Sequence, residues 1–259
     1  MNQNLSLAKN TSWKSVAPWY SSLVGKKGHY FHQHVVIPQV LRLLHLKENS
    51  RVLDLACGEG ILSRNLPPAI EYLGIDSASN FIKEAISKDK NSHHSYITSD
   101  VTKPLPIKQN AYTHATIILS LQNIQNAEAV LHNIKRHLSP DGKLAIVLNH
   151  PCFRIPRQSS WEIDEANKLQ YRRINRYLSP LEIPISIEPA KGEKSKLTWS
   201  FHEPLSYYSD ILFKNNFVIE RLEEWASDRE SEGYYAKMEN RARAEIPLFM
   251  GILARRANG

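Results

Sequence analysis

The chain has 259 residues, 42% hydrophobic and 23% charged, with a formal net charge of +7; this suits a globular protein of one large domain or one domain with an insertion. No apolar run reaches the roughly 20 residues that span a bilayer, the opening MNQNLSLAKNTSWKSVAPWY has no secretory h-region, and the lone cysteines Cys57 and Cys152 form neither a disulfide framework nor a zinc spacing. A cytoplasmic protein with no metal site is expected; the positive charge permits an anionic partner such as nucleic acid or lipid, but no motif for reading DNA or RNA accompanies it.

Residues 1–28 are polar, with Trp13, Pro18, Trp19 and Tyr20 as scattered anchors, and read as an arm or short helix. YFHQHVVIPQVLRLLHL (30–46) has helical apolar spacing, with Pro38 confined to a first turn or a kink. RVLDLAC (51–57) is a short apolar run ending in glycines, hence a buried strand. ILSRNL is expected as a helix that stops at Pro67-Pro68. EYLGID (71–76) is the next strand and SASNFIKEAISKD an amphipathic helix. HSYITSD (94–100) is a weaker strand, THATIILSL (113–121) a strong one, NAEAVLHNIKRHL (126–138) a helix, and SPDGKLAIVLNH (139–150) a turn and a fifth strand. Alternating strands and helices predict a parallel sheet covered on both faces.

The alternation breaks from Pro151 to about Glu203, too long a stretch for a simple connection, and this segment reads as an insertion over the sheet's edge. LSYYSDILFKNN then resumes as a helix, and FVIERLEEW (217–225) and IPLFMGILARR (246–256) as two closing strands. The expected organisation is therefore 1–150, an insertion over 151–203, and 204–259 completing the first unit.

The chemistry centres on VLDLACGEG. Gly58 and Gly60 give a G-x-G after a strand, but the third position of a dinucleotide fingerprint holds Ser63. Asp54 and Glu59 add negative charge where a pyrophosphate would sit, at a cost of several kcal/mol on a rough Coulomb estimate. A nucleoside ligand with positive charge and no phosphate fits better. A Cβ at Gly58 would crowd it. Asp76 ends the second strand, where an acid can take both ribose hydroxyls; Asp100, with Val101, follows the third, where a carboxylate can accept from an adenine amino group.

These segments resemble the class I S-adenosyl-L-methionine (SAM)-dependent methyltransferases. VLDLACGEG is similar to the family's glycine-rich motif, YLGID to its ribose-binding acid, SDVTKPLP to its adenine segment, and LSPDGKLAIVL to its turn and fifth strand. The resemblance covers residues 51–148 and, more loosely, the closing strands. QNIQNAEAVLHNI and NHPCFRIPRQSSW are similar to a bacterial, type 11-like branch acting on small molecules. It implies an α/β, Rossmann-like seven-stranded sheet with helices on both faces, an antiparallel last strand and an insertion after the fifth strand. It implies SAM as cofactor and Asp54, Ala56, Gly58, Gly60, Asp76, Ser77, Asp100, Val101 and Leu119 as its contacts, with Tyr30 touching the methionyl carboxylate from the first helix.

The insertion carries Phe153, Trp161, Tyr171, Tyr177, Trp199 and Phe201 with Arg154, Arg157, Arg172, Arg173 and Arg176. Leaving the fifth strand at its carboxyl end, it is placed to act as a lid over an aromatic or anionic methyl acceptor; the alternative is a mini-core with a solvated basic face. Oxygen, carbon or nitrogen of a small molecule is the expected methylation target. An RNA or protein methyltransferase, or a SAM-binding protein without catalysis, are the alternatives; LSLQN after the fourth strand lacks the Asn-Pro-Pro-Tyr type of run that amino-group methylases carry. His150 in LNHPC is the candidate general base and His202 in SFHEP the second choice, the other role for His150 being a hydrogen bond to its loop. Cys57 reads as a packing residue, His32 and His34 as surface or cap residues, and His93, His94 and His132 as solvated.

Overall fold

The structure is a computed structural model that describes residues 29–186, 195 and 197–257. The expected N-terminal arm with Trp13 and Trp19 lies outside the described residues, as do residues 187–194 and 196 of the expected insertion.

The chain enters through a helical segment in two registers. His32–Val36 forms a π turn, closed where the Ile37 N–H donates to the His32 carbonyl, and α1 (Ile37–Leu44) continues as an α-helix. Pro38 sits in the first turn of α1, where its missing N–H costs nothing. Then follow β1 (Arg51–Leu55), β2 (Glu71–Asp76), α2 (Ser79–Lys88), β3 (His94–Thr98), β4 (Tyr112–Ile118), α3 (Ala127–His137) and β5 (Leu138–Asn149). Asn126 caps α3 by accepting from the Ala129 N–H, and Lys135 and Arg136 complement the dipole at its other end.

After β5, two antiparallel hairpins stand outside the main sheet: β6 (Ser159–Asp164) with β7 (Leu169–Ile174), and β8 (Leu181–Ser186) with β9 (Leu197–His202). The chain returns through α4 (Leu205–Lys214), β10 (Phe217–Trp225), α5 (Ala236–Glu245) and β11 (Phe249–Arg256).

Seven strands form one sheet in the order β10-β11-β5-β4-β1-β2-β3. The strands β1 to β5 run parallel; β11 lies antiparallel between β5 and β10. This is the expected mixed α/β sheet. Alternate residues feed opposite faces. Leu53, Leu55, Ile117 and Ile146 pack with α3 and α4 on one side, while Val52, Ala145, Val147 and Leu253 pack with α1 on the other. Burial on both faces explains why β1, β4 and β5 read as nearly continuous apolar runs.

Two local expectations are corrected. ILSRNL forms no α-helix; turns lead to a single 3-10 turn at Ser63–Asn65. Six residues between Gly60 at φ +68° and the Pro67-Pro68 pair are too few to repay helix nucleation. Helix α5 carried no sequence expectation, since AKMENRARAE buries only Met238 and Ala242 and so lacks an apolar stripe.

Candidate functional site

The strand order reverses between β1 and β4, and a cavity of about 560 Å³ opens at the carboxyl ends of β1, β2 and β4, the place where open α/β sheets hold ligands. Backbone strain marks this rim. Ala56 and Leu119, which follow β1 and β4, hold φ of +53° and +54° although neither is glycine, and both line the cavity. Gly58 lines it too, at φ +55°; a Cβ built there meets no atom within 4 Å, so the loop's backbone faces open cavity. Gly60, at φ +68°, does not line the cavity. A Cβ there would stand 2.8 Å from the Tyr96 hydroxyl, so Gly60 serves loop packing.

Three acids hold the wall. Asp54 is paired in register with Gly74 of β2 and Thr116 of β4, and its carboxylate accepts from Tyr72 Oη at 2.8 Å and Thr116 Oγ1 at 2.7 Å. Burial pushes it up to about 7, against the pull of those two hydroxyls and with help from the neighbouring Asp76 charge. Asp76 accepts from the Gly58 N–H at 3.0 Å and the Ala78 N–H at 2.8 Å. Burial raises its pKa, and these backbone N–H groups restrain the rise. Each Asp76 oxygen keeps a lone pair for a ligand. Asp100 is exposed and caps its own turn by accepting from Thr102, while Ser77 and Val101 complete this side.

Of the expected cofactor contacts, Asp54, Ala56, Gly58, Asp76, Ser77, Asp100, Val101 and Leu119 line this one cavity; Gly60 and Tyr30 do not. Tyr30 turns outward, donates to Asp228 at 3.1 Å and stacks on His34 at 4.3 Å. Its place on the wall is taken by His32, which sequence reading left as a surface or cap residue. Glu59 adds less negative charge than expected, because its buried carboxylate pairs with Lys88 Nζ at 2.6 Å. Cys57 packs under the loop, and burial holds its thiol well above the usual range, consistent with a packing role. His94 is not solvated: it bonds Asp89 at 2.7 Å with a side chain 2% exposed.

Neither candidate base lines the cavity. His150 is 1% exposed. Its Nδ1 accepts from the Cys152 N–H at 3.2 Å, which places the ring proton on Nε2, 2.7 Å from Glu224. Both nitrogens are thus engaged, and His150 ties the end of β5 to β10. His202 donates from Nε2 to the Tyr177 carbonyl at 2.7 Å and is equally buried in the insertion. Sequence position brought His150 to the right end of the sheet, but its partner lies 74 residues away and turns the ring aside.

A second cavity of about 420 Å³ lies beside the first helical turn. Phe31, Trp161, Arg229, Arg243 and Leu248 are among its walls. Arg172 lies over Trp161 at 5.2 Å, and Arg154 over Phe249 at 5.2 Å. Phe31 and His32 are consecutive, and each faces a different cavity.

The residues fit a cationic nucleoside ligand. Asp54, Asp76 and Asp100 stand on the cavity wall with the ammonium of Lys103, while Glu59 is paired with Lys88. The cavity's size is that of a small-molecule site, within roughly 300–1,000 Å³.

Residues 53–146 match the family described as methyltransferase domain. The demethylmenaquinone methyltransferase of Staphylococcus carnosus is 30% identical over 131 residues, which is 49% of this chain and 54% of that protein. The chain thus spans about half the length of the curated relatives it matches. Among solved structures, an S-adenosylmethionine-dependent methyltransferase from Mesorhizobium loti superposes with a TM-score of 0.65 at 23% identity, over 84% of this chain and 96% of that one. The [4+2]-cyclase SpnF superposes with a TM-score of 0.63 at 16% identity, over 95% of both chains. That a cyclase shares the fold is a reminder that the fold hosts more than one chemistry.

Proposed function

We propose that this chain, which carries a class I SAM-dependent methyltransferase domain and fold, transfers a methyl group from S-adenosyl-L-methionine to a small molecule. The observation that carries the reading is the convergence of Asp54, Asp76 and Asp100, from three adjacent strands, on one cavity beside a glycine loop whose Gly58 faces open space. When bound, the cofactor supplies a methyl group already activated by a sulfonium. Asp76 would hold the ribose diol through its remaining lone pairs, and Asp100 with Val101 the adenine edge. Asp54 would tie β1 to β2 and β4 through Tyr72 and Thr116 at the root of the glycine loop. Much of the rate in such a transfer comes from holding the acceptor in line and close.

The acceptor's planar or anionic body would lie against the aromatic and arginine walls of the second cavity, with its reacting atom reaching past Phe31 to the His32 side of the main cavity, where the cofactor would sit. The Staphylococcus carnosus relative is named for a quinone, a planar molecule of this kind. The two hairpins of 151–203 leave from the ligand-binding end of β5, as a lid over that acceptor would. Calorimetry tests the reading: S-adenosylhomocysteine (SAH) should bind at micromolar concentration and NADH should not. Tight NADH binding without SAH binding would overturn it.

A further inference from the structure

Five buried side-chain polar atoms among the described residues have no hydrogen-bond partner. Two of them, His32 Nδ1 and Ser120 Oγ, belong to residues on the wall of the main cavity. A third, Gln122 Oε1, lies two residues beyond Ser120. Buried polar atoms are nearly always paired, so such a cluster calls for an explanation, and a polar ligand group seated among them is one. His32 also stands in the π turn His32–Val36. Such turns displace side chains from the register of the following helix and concentrate at functional sites.

Resting on the methyltransferase reading above, we propose that His32 is the catalytic residue that takes the acceptor's proton during methyl transfer. In that step the acceptor's lone pair forms the bond to the methyl carbon. The electron pair of the broken carbon–sulfur bond stays on sulfur, and the acceptor's proton passes to the His32 imidazole and from there to water. Burial, with His29 adding repulsion, holds His32 down at about 4, so its ring is neutral at pH 7 and free to accept. A hydroxyl or an activated ring carbon becomes strongly acidic as the methyl group arrives, and a neutral imidazole facing it can take that proton.

The test uses the full chain, SAH, labelled SAM, and three probes: phenol, catechol and 1,4-naphthohydroquinone. At saturating SAM, His32→Ala should methylate any accepted probe about 100-fold more slowly, in the usual range for loss of a general base, whatever change its SAH affinity shows. Added imidazole should restore part of the rate, which a merely structural histidine would not allow. Independently of turnover, the nitrogen-15 resonances of His32 should report a neutral ring at pH 7 that shifts on saturation with SAH and again with 1,4-naphthohydroquinone. Turnover of His32→Ala within a few-fold of the parent overturns the proposal, as does a ring unmoved by both ligands. A parent protein that binds no SAH defeats the methyltransferase reading instead.

Discussion

The Gly58 N–H donates to Asp76 Oδ2 at 3.0 Å, so the glycine loop after β1 hangs from the carboxylate that ends β2. The other oxygen of the same group takes the Ala78 N–H at the entrance to α2. One side chain therefore organises two of the cavity's walls before any ligand arrives.

Asp76→Ala should for this reason do two things at once. It removes two charge-assisted backbone hydrogen bonds, at about 1–3 kcal/mol of stability, and the proposed ribose acceptor, at roughly 2–4 kcal/mol of SAH binding. Thermal unfolding and calorimetry separate the two. An unchanged SAH dissociation constant would remove Asp76 from the cofactor's contacts.

Asp54 makes a pH prediction. Its carboxyl is raised to about 7 in the fold from an ordinary value near 4, so the native state holds the proton more tightly than the unfolded chain. Its contribution is fully present below the unfolded value and is lost as pH rises to about 7, with a limiting slope of about 1.4 kcal/mol per pH unit. His114, held down to about 4 by burial, acts in the opposite sense between about 4 and 6.5. The informative quantity is thus the difference between parent and Asp54→Asn in denaturant titrations from pH 4.5 to 7.5. The parent should lose stability relative to the variant as pH rises; parallel curves would contradict the assignment.

His150→Gln should behave as a broken structural tie. Loss of the Nε2 bond to Glu224 and the Nδ1 bond to Cys152 should cost about 1–3 kcal/mol of unfolding free energy, with SAH affinity unchanged. Methyl transfer measured at a temperature where the variant is folded should stay within a few-fold of the parent. A much larger loss of turnover, with partial recovery at high pH, would restore His150 as a base.

The hairpins make a fourth prediction. If residues 151–203 close over cofactor and acceptor, tryptic cleavage at Arg157 and Arg176 should slow when SAH is added. Tyr235 already bonds Glu165 at 3.0 Å, docking the β6–β7 hairpin on α5. Equal cleavage with and without SAH would count against a lid coupled to the cofactor.

Strands were legible where burial on both faces made them continuous: VLDL, YLGI and LAIVL announce β1, β2 and the apolar half of β5. That Gly58 and the acids Asp54, Asp76 and Asp100 meet at one cavity was legible because spacing along alternating strands maps directly onto one end of a parallel sheet; the packing role of Gly60 against Tyr96 was not. Nor was His32. Its residue type alone suggested a surface or cap position, and the π turn His32–Val36, which shifts the residues ahead of Ile37 out of a 3.6 register, leaves no mark in the apolar spacing. The orientation of His150 was unreadable for a different reason, since Glu224 reaches it only once β10 has joined the sheet edge. Helix α5 was missed because its stability comes from packing on β7 and not from its own apolar stripe.

The reversed direction of β11 has a practical consequence. Its first residue, Phe249, is level with Asn149 at the cavity end of β5, whereas Arg255 is level with Lys143 at the far end. The strand therefore carries the chain away from the ligand mouth. A biotin or surface tether attached beyond Arg256 would present the cavity to bulk solution, so immobilised-protein binding measurements should reproduce the affinities found free in solution.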